Sequence, residues 1–358
     1  MAFIKGIFTY LIKVPLSFLY GTGVYVRNKF YDWGIFKSVK INFPIINIGN
    51  ITVGGTGKTP HVEYILSLLS KHKIATLSRG YKRQSKGFRY VEINDTAKIA
   101  GDEPLQIKQK FPEVKVAVEA NRVFGVTKLL DENDDLQAII LDDAFQHRKL
   151  SAGLNIILID YNRPVYRDHL LPWGHLRDNK LQLPRADIFI VTKCPNNLQD
   201  IDLRMFRKRM HIRPYQELYF TTLEYGEKRP VFGNSTSPNV LPTGNSIVTI
   251  TGIASPSIFI DYVKKHYGET KTMIFPDHHN FTKKDIAQIC ELARTASMLL
   301  TTEKDFIRLQ QWENSIPADI KAKIFYIPIK VKFLKNEDKF IKHIFDYVRT
   351  NKSNSQLY

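Results

Sequence analysis

Short apolar runs alternate with segments of helical spacing along most of this chain. Residues 43–48, Phe43-Pro44-Ile45-Ile46-Asn47-Ile48, read as a buried strand, and His61 to Leu69 repeats apolar positions at helical intervals. Residues 74–78, 114–118, 138–141, 155–159 and 188–191 continue the series of strands; 138–141 is almost wholly apolar, as burial on both faces requires. Helical stretches fall between most of them. This alternation predicts an α/β fold with a doubly wound, mainly parallel sheet, whose ligands bind at the carboxyl ends of its strands. Near residue 221 the rhythm changes. Residues 221–225 and 229–232 read as the two strands of a hairpin, followed by a Gly/Asn/Ser/Pro-rich linker to residue 245. A second α/β unit opens at 247–250 and includes 298–301. Residues 351–358 are polar and expected to fray.

Residues 1–34 are rich in Phe, Tyr, Ile, Leu and Val, with Lys5, Lys13, Arg27 and Lys29 interspersed. Their longest uncharged run, residues 14–26, falls short of the roughly 20 apolar residues a membrane span needs. It also contains Pro15, Gly21 and Gly23. The segment reads as a broken amphipathic element lying in a membrane interface, with basic and aromatic anchors. A helix pair packed on the protein's own core is the competing reading. No secretory cleavage site is evident.

The 358 residues carry a formal net charge of +17, which calls for a nucleic acid, an anionic membrane surface or a polyanionic substrate. Cys194 and Cys290 stand far apart without metal-ligand spacing, as in a reduced compartment.

The turn between the first strand and its helix is Gly49-Asn50-Ile51-Thr52-Val53-Gly54-Gly55-Thr56-Gly57-Lys58-Thr59-Pro60. Strand, glycine-rich turn and helix make a phosphate-binding loop. Val53, Gly54, Gly55, Thr56 and Gly57 would cradle phosphate with backbone N–H groups. Lys58 would reach the β- and γ-phosphates, and the Thr59 hydroxyl would ligate Mg²⁺. The usual spacing places Gly at position 52, where this chain has Thr52. Asp142 and Asp143 close the strand at 138–141, where carboxylates facing a nucleotide-bound Mg²⁺ are expected. Gly101-Asp102-Glu103-Pro104 opens a helix, so Asp102 is either a cap or the base for an attacking hydroxyl. Phe275-Pro276-Asp277-His278-His279 fits a metal site, a cap or a catalytic histidine. Arg122 and Arg177 are candidate phosphate clamps, although cations in such places more often form surface salt bridges. Val191-Thr192-Lys193-Cys194-Pro195 is similar to a guanine-reading motif but has Pro195 in place of the Asp, which favours ATP over GTP.

Together, Asn47 through Pro60, Leu77-Ser78-Arg79-Gly80-Tyr81, Gly101-Asp102-Glu103-Pro104, Asp142-Asp143-Ala144-Phe145-Gln146-His147, Leu171-Pro172-Trp173-Gly174-His175-Leu176-Arg177 and Phe275-Pro276-Asp277-His278 resemble the tetraacyldisaccharide 4′-kinase family of lipid A biosynthesis. The resemblance spans about residues 30–280 in order. Ala144 stands where the family usually has Gly, and Trp173 where a smaller residue is expected. The resemblance implies ATP- and Mg²⁺-dependent phosphorylation of the 4′-hydroxyl of a tetraacylated glucosamine disaccharide 1-phosphate. It implies residues 35–220 as the P-loop domain, 221–245 as a β-ribbon linker and 246–350 as a smaller α/β domain, with the site between the two. It implies Asp102 and His278 as a catalytic dyad, with Lys58 catalytic. Asp142, Asp143 and Thr59 would hold Mg²⁺, and Arg122, Gln146, His147, Arg177 and Glu103 would line the phosphates. A peripheral location on the cytoplasmic face of the bacterial inner membrane follows, with no nucleic acid and no obligate protein partner. A regulatory GTPase or metallochaperone would need a guanine-reading motif and a Cys-rich site that are not evident. A nucleic-acid-stimulated ATPase is the third reading of the basic charge.

Overall fold

The computed structural model describes residues 2–233 and 246–355, with side chains for 10–233 and 246–351. Two sheets organise the chain. The larger has nine strands in the spatial order Ile329–Phe333, Glu217–Tyr225, Ile188–Thr192, Leu154–Asp160, Ile45–Gly49, Ala138–Asp142, Ile74–Ser78, Lys115–Val118 and Arg89–Tyr90. The strands from Glu217–Tyr225 to Lys115–Val118 run parallel, and the two edge strands are antiparallel. Ile45–Gly49, Ala138–Asp142 and Ile188–Thr192 are buried at every position, which is what their unbroken apolar runs require. The chain leaves Ile45–Gly49 toward one side of the sheet and leaves Ala138–Asp142 toward the other. That reversal opens a crevice at the carboxyl ends of these neighbouring strands. The phosphate loop and Asp142-Asp143 therefore meet there.

The smaller sheet runs Arg229–Pro230, Ile324–Ile327, Met298–Thr302, Ile247–Thr251, Thr270–Ile274. It is parallel except at Arg229–Pro230.

The predicted hairpin of 221–225 with 229–232 does not form. Thr221 to Tyr225 instead pairs antiparallel with Ile329 to Phe333, and Arg229–Pro230 pairs with Phe325 and Tyr326. Gly226 N–H bonds the Pro328 carbonyl at 2.8 Å and continues the ladder. The two chain crossings between the sheets thus lie side by side as a β-ribbon, but its second strand comes from about 100 residues downstream. Most of the expected linker, 234–245, lies outside the described residues. A second difference follows. The stretch expected to end the smaller unit returns to the larger sheet, where Phe340, Ile344 and Val348 of the helix Glu337–Ser355 join the core of the P-loop unit. Each such buried side chain contributes about 1.5–3 kcal/mol. The helix continues to Ser355, past the point where fraying was expected.

Residues 2–32 form one continuous helix rather than a broken segment, with Pro15 inside it. Tertiary contacts hold it. Ser17 Oγ bonds the Leu170 carbonyl at 2.7 Å, Asn28 donates to Asp178 at 2.8 Å, and Arg148 bonds both the Asn28 carbonyl and Asp32. Gly21 allows the approach, since a Cβ there would lie 2.8 Å from Leu170 Cδ1. The outer face exposes Leu11 (65%), Phe18 (75%) and Leu19 (66%). No described helix is long and apolar enough to cross a membrane. Trp173 stacks on His169 and meets Tyr10 of this helix edge-on, so it closes a loop-to-helix contact.

Candidate active site

The glycines of the phosphate loop serve its backbone geometry. Gly54 and Gly57 have φ of +95° and +85°, the left-handed region that only glycine enters freely. Thr52 needs no such freedom: it is buried, bridges to Leu176 and directs its hydroxyl to the His175 carbonyl. The loop's carbonyls are held from behind. Arg163 donates to the Val53 carbonyl, Lys193 to Gly55, Thr192 to Thr56 and the His61 amide to Gly57. Among the described residues, the amides of Gly54, Gly55, Thr56 and Gly57 donate to no atom of the chain. A row of unspent N–H groups at a helix N-terminus is an anion site. Lys193 also pairs with Asp160 at 2.7 Å. The would-be guanine motif is therefore a brace for the phosphate loop, a role that its Thr-Lys after an apolar strand did not disclose.

Two cavities meet at this loop. One, of about 430 Å³, is lined by Gly55 to Pro60 and by apolar residues including Tyr225, Ile253, Ile258 and Phe259. The other, of about 730 Å³, is polar and is lined by Arg122, Asp142, Asp143, Gln146, His147 and Arg177 among others. Lys58, Glu103, Asp277 and Lys304 line both. Thr59 opens only on the first, and the aspartate pair only on the second.

Asp142 is buried, and its Oδ1 has no hydrogen-bond partner. Burial and the neighbouring carboxylates of Glu103 and Asp143 push it up to about 7, against the pull of Lys58 and Arg122. Asp143, with φ +56°, is held low: Lys58 Nζ lies 3.8 Å away and Arg177 binds both its oxygens, which outweighs burial. Ala144 does not take a positive φ, so the absence of glycine there carries no strain. Arg177 does not stand free as a phosphate clamp, because its Nη atoms are spent on Asp143 and Asn50. Gln146 likewise gives its amide to the Asn50 carbonyl at 2.8 Å. Arg122 is buried, and burial pushes it down to about 10; its Nη1 bonds the Glu119 and Ala120 carbonyls, and its Nε has no partner.

The smaller unit supplies the other wall. His278, at φ +59°, places Nδ1 3.2 Å from Asp102 Oδ2 and lines the larger cavity, with Asp102 behind it. Lys304 Nζ donates to His278 Nε2 at 3.0 Å. An ammonium only donates, so Nε2 accepts and the ring proton sits on Nδ1, toward Asp102. Arg308 holds the same Asp102 oxygen through Nε at 2.9 Å and Nη2 at 2.7 Å. Burial alone would raise Asp102, but the His278 contact and the Arg308 guanidinium bring it down to about 2. His279 is turned away onto Asp285 at 2.9 Å and supports the cap of the helix Lys283–Thr295. The Asp-His-His triplet thus divides between site and cap, and no cluster of three His, Cys, Asp or Glu groups fit for a metal occurs among the described residues. Lys304 and Arg308 were missed in the sequence. Their only signal was a polar run, Thr301-Thr302-Glu303-Lys304-Asp305, that begins in the last two residues of the buried strand Met298–Thr302 and continues into the next helix.

A family model described as tetraacyldisaccharide-1-P 4'-kinase matches residues 9–349. The chain is 45% identical over 362 residues to the tetraacyldisaccharide 4'-kinase of Phocaeicola vulgatus, covering 97% of this chain and 99% of that one. It is 40% identical over 342 residues to the protein of the same name from Flavobacterium johnsoniae, covering 95% and 97%. Among solved structures it is similar to LpxK from Aquifex aeolicus in complex with ATP, with a TM-score of 0.70, 29% identity, and coverage of 94% of this chain and 98% of that one.

Proposed function

The chain belongs to the tetraacyldisaccharide 4'-kinase family, and from that premise we propose how its residues share the ATP-dependent phosphorylation of a tetraacylated glucosamine disaccharide 1-phosphate at its 4′-hydroxyl. The observation that carries the division of labour is Lys58 at the junction of two cavities of different character. The apolar cavity beside the phosphate loop takes the adenosine. The loop amides and Lys58 take the β- and γ-phosphates. The polar cavity takes the acceptor sugar, with Arg122 and His147 toward its anionic groups.

Phosphoryl transfer depends mainly on positioning and charge neutralisation. The acceptor hydroxyl loses its proton as the O–P bond forms, while the bond from Pγ to the leaving oxygen breaks and its electron pair stays on the ADP. The Asp102–His278 pair takes that proton as a unit. Asp102 supplies the negative charge, and His278 is the member that lines the cavity. The unpartnered Oδ1 of Asp142 suits a cation at this place; Thr59, which opens on the neighbouring cavity, and Asp143, once released by Arg177, are its proposed companions. Bound Mg²⁺ would neutralise charge on the β- and γ-phosphate oxygens. Phosphate transfer from γ-labelled ATP to the lipid acceptor in detergent micelles tests the scheme. Asp102→Ala and His278→Ala are each expected to lower kcat by about 10²-fold or more, with His279→Ala close to the parent. Parental turnover in Asp102→Ala or His278→Ala would remove the dyad.

The exposed apolar residues of the N-terminal helix, together with the net charge of +17, support peripheral docking on an anionic leaflet, the cytoplasmic face of the inner membrane. Leu11→Glu with Leu19→Glu is expected to weaken partitioning onto anionic vesicles about tenfold while leaving Mg-ATP binding intact. Unchanged partitioning would reject this docking face.

A further inference from the structure

Lys304 is the second residue of the helix Glu303–Gln310 of the smaller unit, which follows the buried strand Met298–Thr302 directly. Its ammonium is held loosely. Nζ lies 3.0 Å from His278 Nε2, 3.5 Å from Asp277 Oδ1 and 3.8 Å from Glu103 Oε1. Only the first is an ordinary hydrogen-bond length, and its acceptor is a neutral ring nitrogen. Arg308, one turn further on, differs in every respect. Its side chain is 2% exposed against 22% for Lys304, and it binds two carboxylates at 2.7–2.9 Å. Within this helix, then, Arg308 is fixed and Lys304 is free to move.

Lys304 also lines both cavities, as Lys58 does, although the two lysines come from helices of different units. We propose that Lys304 is a γ-phosphate ligand delivered by the smaller unit: when a nucleoside triphosphate enters, its ammonium leaves His278 Nε2 for a γ-phosphate oxygen. The proposal rests on the kinase reading above. The exchange is favoured because an ionised phosphate oxygen accepts roughly twice as strongly as a neutral nitrogen. A compact ammonium on a flexible four-carbon stem can make the swing. Two results follow. The γ-phosphoryl group is neutralised from both units at once, by Lys58 and Lys304. The His278 nitrogen facing the acceptor cavity also loses its capping donor, so the dyad becomes available for the hydroxyl proton only when a triphosphate is present. ADP has no γ-phosphate and leaves Lys304 on His278.

The test measures calorimetric affinities of the full chain for Mg-ATP and Mg-ADP, together with label transfer, for Lys304→Met and Lys304→Arg. Lys304→Met is expected to weaken ATP at least about tenfold, to leave ADP within about threefold, and to lower kcat by about 10²-fold. Lys304→Arg keeps the cation and should retain most of the preference for ATP. Equal weakening of both nucleotides, or an unchanged ATP-to-ADP preference in Lys304→Met even with slower turnover, would overturn the assignment. The two failures are separable: a parental enzyme that binds ATP but labels no lipid would reject the kinase scheme, while the nucleotide ratio still judges Lys304.

Discussion

Lys58→Ala is expected to lower phosphate transfer by about 10²–10³-fold and to weaken Mg-ATP binding at least about tenfold. The side chain stands at the mouth of both cavities, 15% exposed, with Nζ 3.8 Å from Asp143. Two effects add. The β- and γ-phosphates lose the cation that meets them at the helix N-terminus, where only neutral amides remain. The carboxylates of Asp142, Asp143 and Glu103 also lose a neighbour that offsets their mutual repulsion, so Asp142, already pushed up to about 7, is driven higher and spends more time protonated at neutral pH. Steady-state transfer from labelled ATP checks the first effect, and nucleotide titration with and without Mg²⁺ checks the second. Turnover within fivefold of the parent would mean that this loop does not hold the transferred phosphate.

Arg308→Met is the second large effect, read on stability. Arg308 joins the two units: it binds Asp102 of the larger one, while its Nη1 bonds Asp305 at 2.9 Å within its own helix. Asp305 is fully buried, and burial pushes its carboxyl up even though Gly252 N–H, Thr302 and Arg308 all donate to it. Removing one partner of a buried charge network leaves the others uncompensated and costs about 3–5 kcal/mol. The loss should appear at pH 7 as an earlier urea midpoint, with Mg-ATP binding weakened as the two units lose their tie. Its pH dependence has a definite sign. Asp102 is depressed from 3.8 to about 2 in the folded chain. Its pairing therefore adds stability above pH 4, about 2 kcal/mol, which is lost as pH falls through 2. The gap between parent and Arg308→Met should be widest at neutral pH and narrow from pH 4 downward. A gap independent of pH would show that Asp102 is not held down by this guanidinium.

The central strands of both sheets were legible because each is a short, largely buried apolar run, whereas Ile329–Phe333, where exposed lysines alternate with apolar residues, was not read as a strand. The phosphate loop and the aspartate pair at 142–143 were legible for a different reason. Each sits where an apolar run ends or a helix begins, so its polar residues stand out against their flanks. The pairing of Asp102 with His278, and the choice of His278 over His279, rested on the family resemblance alone. Ala144 and Thr52, the departures from usual patterns, prove harmless because neither position needs a left-handed backbone.

Other features had no local signature. The ribbon pairs Tyr225 with Ile329, and no periodicity near residue 221 announces a partner that far along the chain. The N-terminal helix stays continuous past Pro15 because Ser17, Gly21 and Asn28 find partners in the 148–178 region. Arg177, which the sequence left open between a phosphate clamp and a salt bridge, is spent on Asp143; Lys193 looked like a failed base-reading motif and braces Gly55. What this chain's sequence determined alone was set by short-range physics: which runs are buried strands, which turn has the glycine pattern of a phosphate loop, and which carboxylates and histidines stand at the ends of strands and the starts of helices. Only the tertiary structure decided which of those charges are already paired and which remain for a ligand. Pairing depends on distances between groups up to 206 residues apart, such as Arg308 and Asp102, and Coulomb and hydrogen-bond energies follow spatial separation rather than position along the chain.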